Sequence, residues 1–241
     1  MATVDSCHAW QRHRPRTITM VLATVAAVGT LLGFALLPEI AGDPPPFDPD
    51  TIPGTQVIWV TAPTGADHGT LELWRRNRVR HWVRMFTAPA WVGAEGISTR
   101  AEEGAAFTPE GTFTVTEGFG RLPDVGATLP YLSVDPSNTW WWVSDPESPL
   151  YNQKFRCAEP DCPFDTGRAE NLGRTDPQYN YALVIDYNRF PVVPKRGSAF
   201  FVHVAVGRAT AGCVAVTEDV MRTLLAALHP SKKPVIGLYA T

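Results

Sequence analysis

The sequence predicts a mainly β domain with a few helices, held behind one N-terminal transmembrane helix. Three observations carry that prediction. Apolar and polar residues alternate at period two through much of the chain beyond residue 55. The 22 prolines and 19 glycines among 241 residues favour turns and disfavour a helical bundle. An uncharged run from Thr17 to Leu37 stands near the N-terminus. With 44% hydrophobic and 19% charged residues, the chain has enough apolar side chains for a substantial core. The formal net charge is −3, with basic residues gathered near the start, which argues against nucleic acid as a partner.

Residues 1–16 form a basic N-terminus, in which Arg12, His13, Arg14 and Arg16 precede the apolar run; Glu39, Asp43, Asp48 and Asp50 follow it. As a helix, residues 17–37 span ~31 Å, the thickness of a bilayer hydrocarbon core. The charge step puts the N-terminus in the cytoplasm. The run exceeds the usual secretion-signal core, and Ala41 has Glu39 where a cleavage site needs a small residue. It reads as an uncleaved signal anchor, with a cleaved, secreted form as the alternative. Residues 38–54, carrying Pro38, Pro44, Pro45, Pro46, Pro49 and Pro53, read as a stiff spacer. Residues 55–241 have no repeat and no second linker, so they form one domain.

Strands are expected at Gln56 to Thr61, Thr70 to Trp74, Val79 to Phe86, Thr112 to Thr116, Thr139 to Val143, Tyr181 to Asp186 and Ala199 to Val206. Arg75, Arg76, Asn77, Arg78 and Arg80 fall at a hairpin tip and read as solvated. One helix follows Thr217 as N-cap, with Glu218 and Asp219 in its first turn and Val220, Met221, Leu224, Leu225 and Leu228 on one face, and Pro230 ends it. Trp140, Trp141 and Trp142, with Tyr151 and Tyr179, offer either core packing or a cleft wall, and alternation along a strand favours the core.

Beyond the apolar run lie three cysteines. Cys157 and Cys162 enclose a short polar loop and suit a local disulfide in an oxidising compartment. Zinc ligation is the rival, but no second close Cys or His pair lies nearby, so no metal is assigned. Cys213 remains, ten positions after His203. That spacing fits adjacent strands joined as a hairpin through Gly207 to Gly212, which brings a base to a nucleophile. Gly212 leaves room for substrate at the backbone, and the N–H groups of Gly212 and Cys213 are placed to stabilise a tetrahedral oxyanion. A buried, inert cysteine beside a core histidine is the alternative for any such pair taken alone.

The segment from Gly197 to His203, followed by Thr210-Ala211-Gly212-Cys213-Val214-Ala215-Val216, resembles the active-site signature of the L,D-transpeptidase catalytic domain family. Thr108-Pro109-Glu110-Gly111-Thr112-Phe113 is similar to the Thr-Pro-x-Gly-x-Phe element of that family, and the segment Tyr181 to Asn188 matches a strand seen in one branch. The likeness covers most of residues 55–241, in order. It departs at Ala211 and Ala215, where many members carry His before the Gly-Cys pair and Asn or Arg two places after the Cys, and so resembles an Ala-Gly-Cys subgroup.

The resemblance implies a β-sandwich catalytic domain and acyl transfer on peptidoglycan tetrapeptide stems. Cys213 is the implied nucleophile and His203 its base, oriented by a backbone carbonyl, so that Asp186 is structural. Ser198, Thr210, Ala211 and Trp141 are candidate substrate contacts, no cofactor is called for, and carbapenems are expected inhibitors. With the anchor, the implied place is the bacterial cell membrane, single-pass, with the domain extracytoplasmic. An L,D-carboxypeptidase, or a non-catalytic wall-binding protein retaining the fold, is the alternative.

Overall fold

The computed structural model describes residues 44–134 and 139–241. The basic N-terminus, the expected membrane segment and the start of the Pro-rich spacer lie outside the described residues. Among the described residues no helix is long and apolar enough to cross a membrane.

Strands β1 (Gln56–Ala62), β2 (His68–Arg76) and β3 (Trp82–Trp91) open the domain. They are followed by β4 (Ile97–Ser98), β5 (Thr108–Pro109), β6 (Gly111–Thr114), β7 (Gly118–Gly120) and β8 (Tyr131–Ser133). Next come β9 (Trp140–Val143), β10 (Lys154–Arg156), β11 (Ala169–Asn171), β12 (Ala182–Val184), β13 (Phe201–Val204) and β14 (Val214–Val216). Helix α1 (Glu218–Ala227) and β15 (Val235–Ala240) close it. Ten strands make one sheet in the order β6-β15-β1-β2-β3-β14-β13-β12-β7-β8, beside a three-stranded sheet β10-β9-β11 and the pair β4-β5.

The sandwich takes the form of one curled sheet. Its two five-stranded halves join at a single registered pair, Ala215 with Trp91. Ile58, Val60, Leu71 and Leu73 from one half and Leu183, Val202, Val204, Val214 and Val216 from the other share one core with Met221, Leu224, Leu225 and Leu228. Burying such side chains contributes roughly 1.5–3 kcal/mol each. A second core lies on the opposite face of β7, β12 and β13, where Phe119, Ala182, Val184 and Phe201 meet Trp142 of the small sheet, Leu172 and Tyr179.

All seven expected strands have counterparts, with shifted ends. β3 begins at Trp82 because residues 77–81 form the turn. There Asn77 Oδ1 accepts from the amides of Val79 (3.1 Å) and His81 (2.8 Å), and Arg80 has φ 68°. Arg75, Arg78 and Arg80 are exposed, whereas Arg76 donates to Pro49 O at 2.9 Å and lies over Trp82. Thr217 is the N-cap residue, but its side chain makes no capping bond. The Pro-rich segment also differs from a free spacer: Phe47 and Ile52 are buried against Trp59, Trp74 and Trp82, so its second half packs on the sheet.

Candidate active site

His203 lies in β13 and Cys213 immediately precedes β14, but the two strands are parallel, with Val202 beside Val214 and His203 beside Ala215. The hairpin expectation is thereby corrected. Residues between the strands run back along the end of β3, where Thr210 N donates to Val92 O (2.9 Å) and Ala94 N to Thr210 O (3.0 Å). Register and pleat then explain the site: Val202, Val204, Val214 and Val216 point into the first core, which leaves Phe201, His203, Cys213 and Ala215 for the other face. That face is covered by the small sheet, and Cys213 packs at the margin of the second core.

Cys213 is the free thiol among the described residues. Its Sγ donates to Ala199 O at 3.3 Å and accepts from Phe201 N at 3.3 Å; its hydrogen bonds run to these backbone groups and not to His203. Burial pushes the thiol well above its usual range, negative charge on Glu170 adds to this, and the Phe201 amide opposes it. His203 is buried, and burial holds its pKa below 6.5, against the raising effect of Val204 O. A carbonyl only accepts, so His203 Nδ1–H donates to Val204 O at 2.9 Å, which leaves Nε2 with the lone pair a base needs. The imidazole sits edge-on to Tyr179, 5.9 Å between ring centres.

Gly212 has a cause different from substrate access. Its φ is +139°, and a Cβ there would lie 2.6 Å from Phe200 and 2.9 Å from Phe107 O. Its amide donates to Thr210 Oγ1 at 3.1 Å, so of the two expected oxyanion donors only the Cys213 amide remains. Thr210 Oγ1 in turn donates to Cys213 O at 2.6 Å, which makes Thr210 a brace for the loop. Thr108 is a second brace: fully buried, it donates to Gly212 O (2.8 Å) and accepts from Gly93 N (2.8 Å). The Thr-Pro-x-Gly-x-Phe element marked Thr108 in the sequence without revealing this contact.

Two cavities meet at Cys213. The first, of about 580 Å³, is lined by Glu102, Glu103, Ser144, Glu170, Ser198 and Ala211 among others. The second, of about 720 Å³, is lined by Glu170, Tyr179, His203, Arg208, Thr210, Ala211 and Ala215 among others. Of the candidate substrate contacts, Ser198, Thr210 and Ala211 line these cavities. Ser198 Oγ donates to Glu103 Oε2 at 2.8 Å. Trp141 does not: it is buried, donates to Cys157 O at 3.1 Å and packs on Phe164. Cys157 and Cys162 form the expected disulfide, with Cα atoms 5.3 Å apart, at this far side of the small sheet. Asp186 accepts from Thr114, Thr116 and Arg189, a structural set.

Sequence reasoning missed Glu170, Tyr179 as its partner, and Asn152. Tyr179 donates its hydroxyl to Glu170 Oε2. Burial pushes Glu170 up to about 7, the Tyr179 bond opposes this, and Glu103 adds to it. Asn152 Oδ1 accepts from Ala199 N at 3.2 Å and so fixes the residue whose carbonyl holds the thiol. Ala199 itself has φ 56°, an uncommon conformation for alanine, held by these surroundings.

A curled, mainly β domain with a thiol and a buried, oriented imidazole on one sheet face, opening to two cavities, defines a candidate cysteine enzyme. The chain belongs to the L,D-transpeptidase catalytic domain (YkuD) family, whose model matches residues 56–236. This is a family of peptidoglycan enzymes. Neither the curated proteins nor the solved structures compared with the chain gave a match.

Proposed function

We propose that this chain is a membrane-anchored L,D-transpeptidase that forms 3-3 crosslinks through a Cys213 thioester, with His203 as base. The observation that carries the reading is that His203 of β13 and Cys213, immediately before the adjacent parallel β14, line a shared cavity within a domain of this family. Both groups rest neutral, so proton transfer accompanies attack. Sγ–H leaves Ala199 O and passes its proton to His203 Nε2. Sulfur adds to the carbonyl between the third, diamino residue of a tetrapeptide stem and its terminal D-Ala. The Cys213 amide faces the developing oxyanion. The C–N bond breaks, and His203 returns the proton to the leaving D-Ala amine. An amine of a second stem then displaces sulfur to give the crosslink; water in its place gives a tripeptide, the carboxypeptidase alternative. Residues 17–37 would hold the domain outside the cytoplasmic membrane of a bacterium, as the charge step across them supports.

The test is incubation of the full chain, in detergent, with a carbapenem and separately with disaccharide-tetrapeptide. The expected results are a covalent adduct on the Cys213 peptide by mass, release of D-Ala, and loss of both in a folded Cys213→Ala variant. A folded, reduced wild-type chain that yields neither product argues for the non-catalytic reading. For topology, a β-lactamase fused after Thr241 is expected to protect growing cells; a fusion whose enzyme is found only in the cytoplasm rejects the anchor.

A further inference from the structure

We propose that Glu170 receives the acceptor amine beside the Cys213 thioester and takes its proton, so that transfer prevails over hydrolysis. The inference rests on the acyl-transfer reading above. The two cavities have five lining residues in common: Ala106, Ala169, Ala211, Cys213 and Glu170. Glu170 is therefore the one carboxylate that borders the nucleophile from both sides. It is held there by β11 pairing with β9, and by Tyr179, whose hydroxyl engages one carboxyl oxygen. The other oxygen accepts no bond among the described residues. The Tyr179 ring also meets His203, so one side chain positions both the base and the carboxylate.

Ser144 also lines the first cavity, and its buried Oγ has no hydrogen-bond partner among the described residues. The charges lining this cavity are Glu102, Glu103, Glu170 and Arg168. Arg168 is paired with Asp145 at 3.1 Å, and Glu103 is fixed by Tyr151 and Ser198, so the field favours a cation. Around Glu170 from the other elements stand Tyr179, Cys213, and, across the second cavity, His203 and Arg208. A carboxyl held near 7 by burial is a proton acceptor matched to neutral pH.

The step balances as follows. An ammonium enters, and the Glu170 carboxylate removes one proton to leave the free amine. Nitrogen adds to the thioester carbon; the C–N bond forms, the C–S bond breaks, and a second nitrogen proton passes through His203 to the Cys213 sulfur. Glu170 then releases its proton to water.

The experiment uses the full chain with disaccharide-tetrapeptide as both donor and acceptor, and reads the ratio of crosslinked dimer to tripeptide between pH 5.5 and 8.5. In the wild type the ratio is expected to rise with pH through about 7, as Glu170 loses its proton. In Glu170→Gln, which still accepts from Tyr179, it is expected to fall at least about tenfold and to lose that inflection. Glu170→Asp, which keeps the charge on a shorter arm, is expected to recover the inflection in part and serves if the glutamine variant does not fold. An unchanged ratio in Glu170→Gln overturns the proposal, and a higher one overturns it by assigning Glu170 to water. A wild type that makes tripeptide alone also overturns it while leaving the Cys213 chemistry standing. Failure of the wild type to release D-Ala defeats the acyl-transfer reading itself.

Discussion

Replacing His203 by alanine is expected to slow acylation of Cys213 by about 10²–10⁴-fold at pH 7, the usual weight of a positioned general base. The upper part of that range is favoured here because burial raises the thiol and leaves little thiolate to react unaided. The pH profile separates a base from a mere packing group. His203 is held below 6.5 by burial, so in the wild type it is neutral and available at higher pH, and the rate falls only as pH drops through that lowered value. Without the imidazole, the rate is expected to rise about tenfold per pH unit, because hydroxide alone then generates the thiolate. Carbapenem adduct formation followed by mass across pH 5 to 9 measures both, with a thermal melt to confirm folding. A variant within about threefold of wild type at pH 7 removes His203 from the mechanism.

The reach of the sequence is set by where periodicity exists. Strands with one solvated face alternate, and β2 and β3 were legible for that reason. β15 was not: it lies between β1 and β6, pairs parallel with β1, and runs Val235 to Leu238 buried without interruption. A strand covered on both faces reads as a plain apolar run, which periodicity cannot tell from a helix segment. The same ambiguity hid the parallel sense of β13 and β14, because spacing along the chain reports that two strands are near and not how the loop returns.

For the site, Cys213 and His203 were legible from their strands and from the family signature, and Thr108 from the neighbouring element. Glu170, Tyr179 and Asn152 lie in the long stretch between β9 and β12, whose turns and short strands carry no repeat. Their roles arise from contacts distant in sequence, such as Asn152 with Ala199. Trp141 follows the reading that alternation sends the aromatic run into the core, and only its place among the candidate substrate contacts is corrected: β9 is the central strand of the small sheet, and the disulfide loop with Phe164 covers Trp141.

Asn152→Ala is expected to cost about 4 kcal/mol, a large share of the 5–15 kcal/mol that stabilises a typical domain. Asn152 is buried, and its amide satisfies four groups at once. Oδ1 accepts from Trp142 Nε1 (2.9 Å) and Ala199 N (3.2 Å), and Nδ2 donates to Tyr187 O (3.1 Å) and Asn188 O (2.8 Å). Alanine leaves all four without this partner, and each buried polar group so stranded costs roughly 1–3 kcal/mol before relaxation. Alanine also inherits φ 56°, which asparagine tolerates better. For a domain of this size the expected fall in melting temperature is roughly 10 °C. Asn152→Gly isolates the backbone contribution, since it relieves φ and restores no bond; it is expected to recover no more than about 1 kcal/mol over alanine. Asn152→Asp keeps the acceptor but sets a carboxylate against two carbonyls, so a loss at least as large as that of alanine is expected. Activity is expected to fall in step even below the melting range, because Ala199 O, which holds the thiol, loses the bond that fixes its residue. Thermal melts and urea midpoints measure the first effect, and the carbapenem acylation rate at 20 °C the second. An alanine variant melting within about 2 °C of wild type shows that the four groups find other partners, and removes Asn152 from the support of the nucleophile.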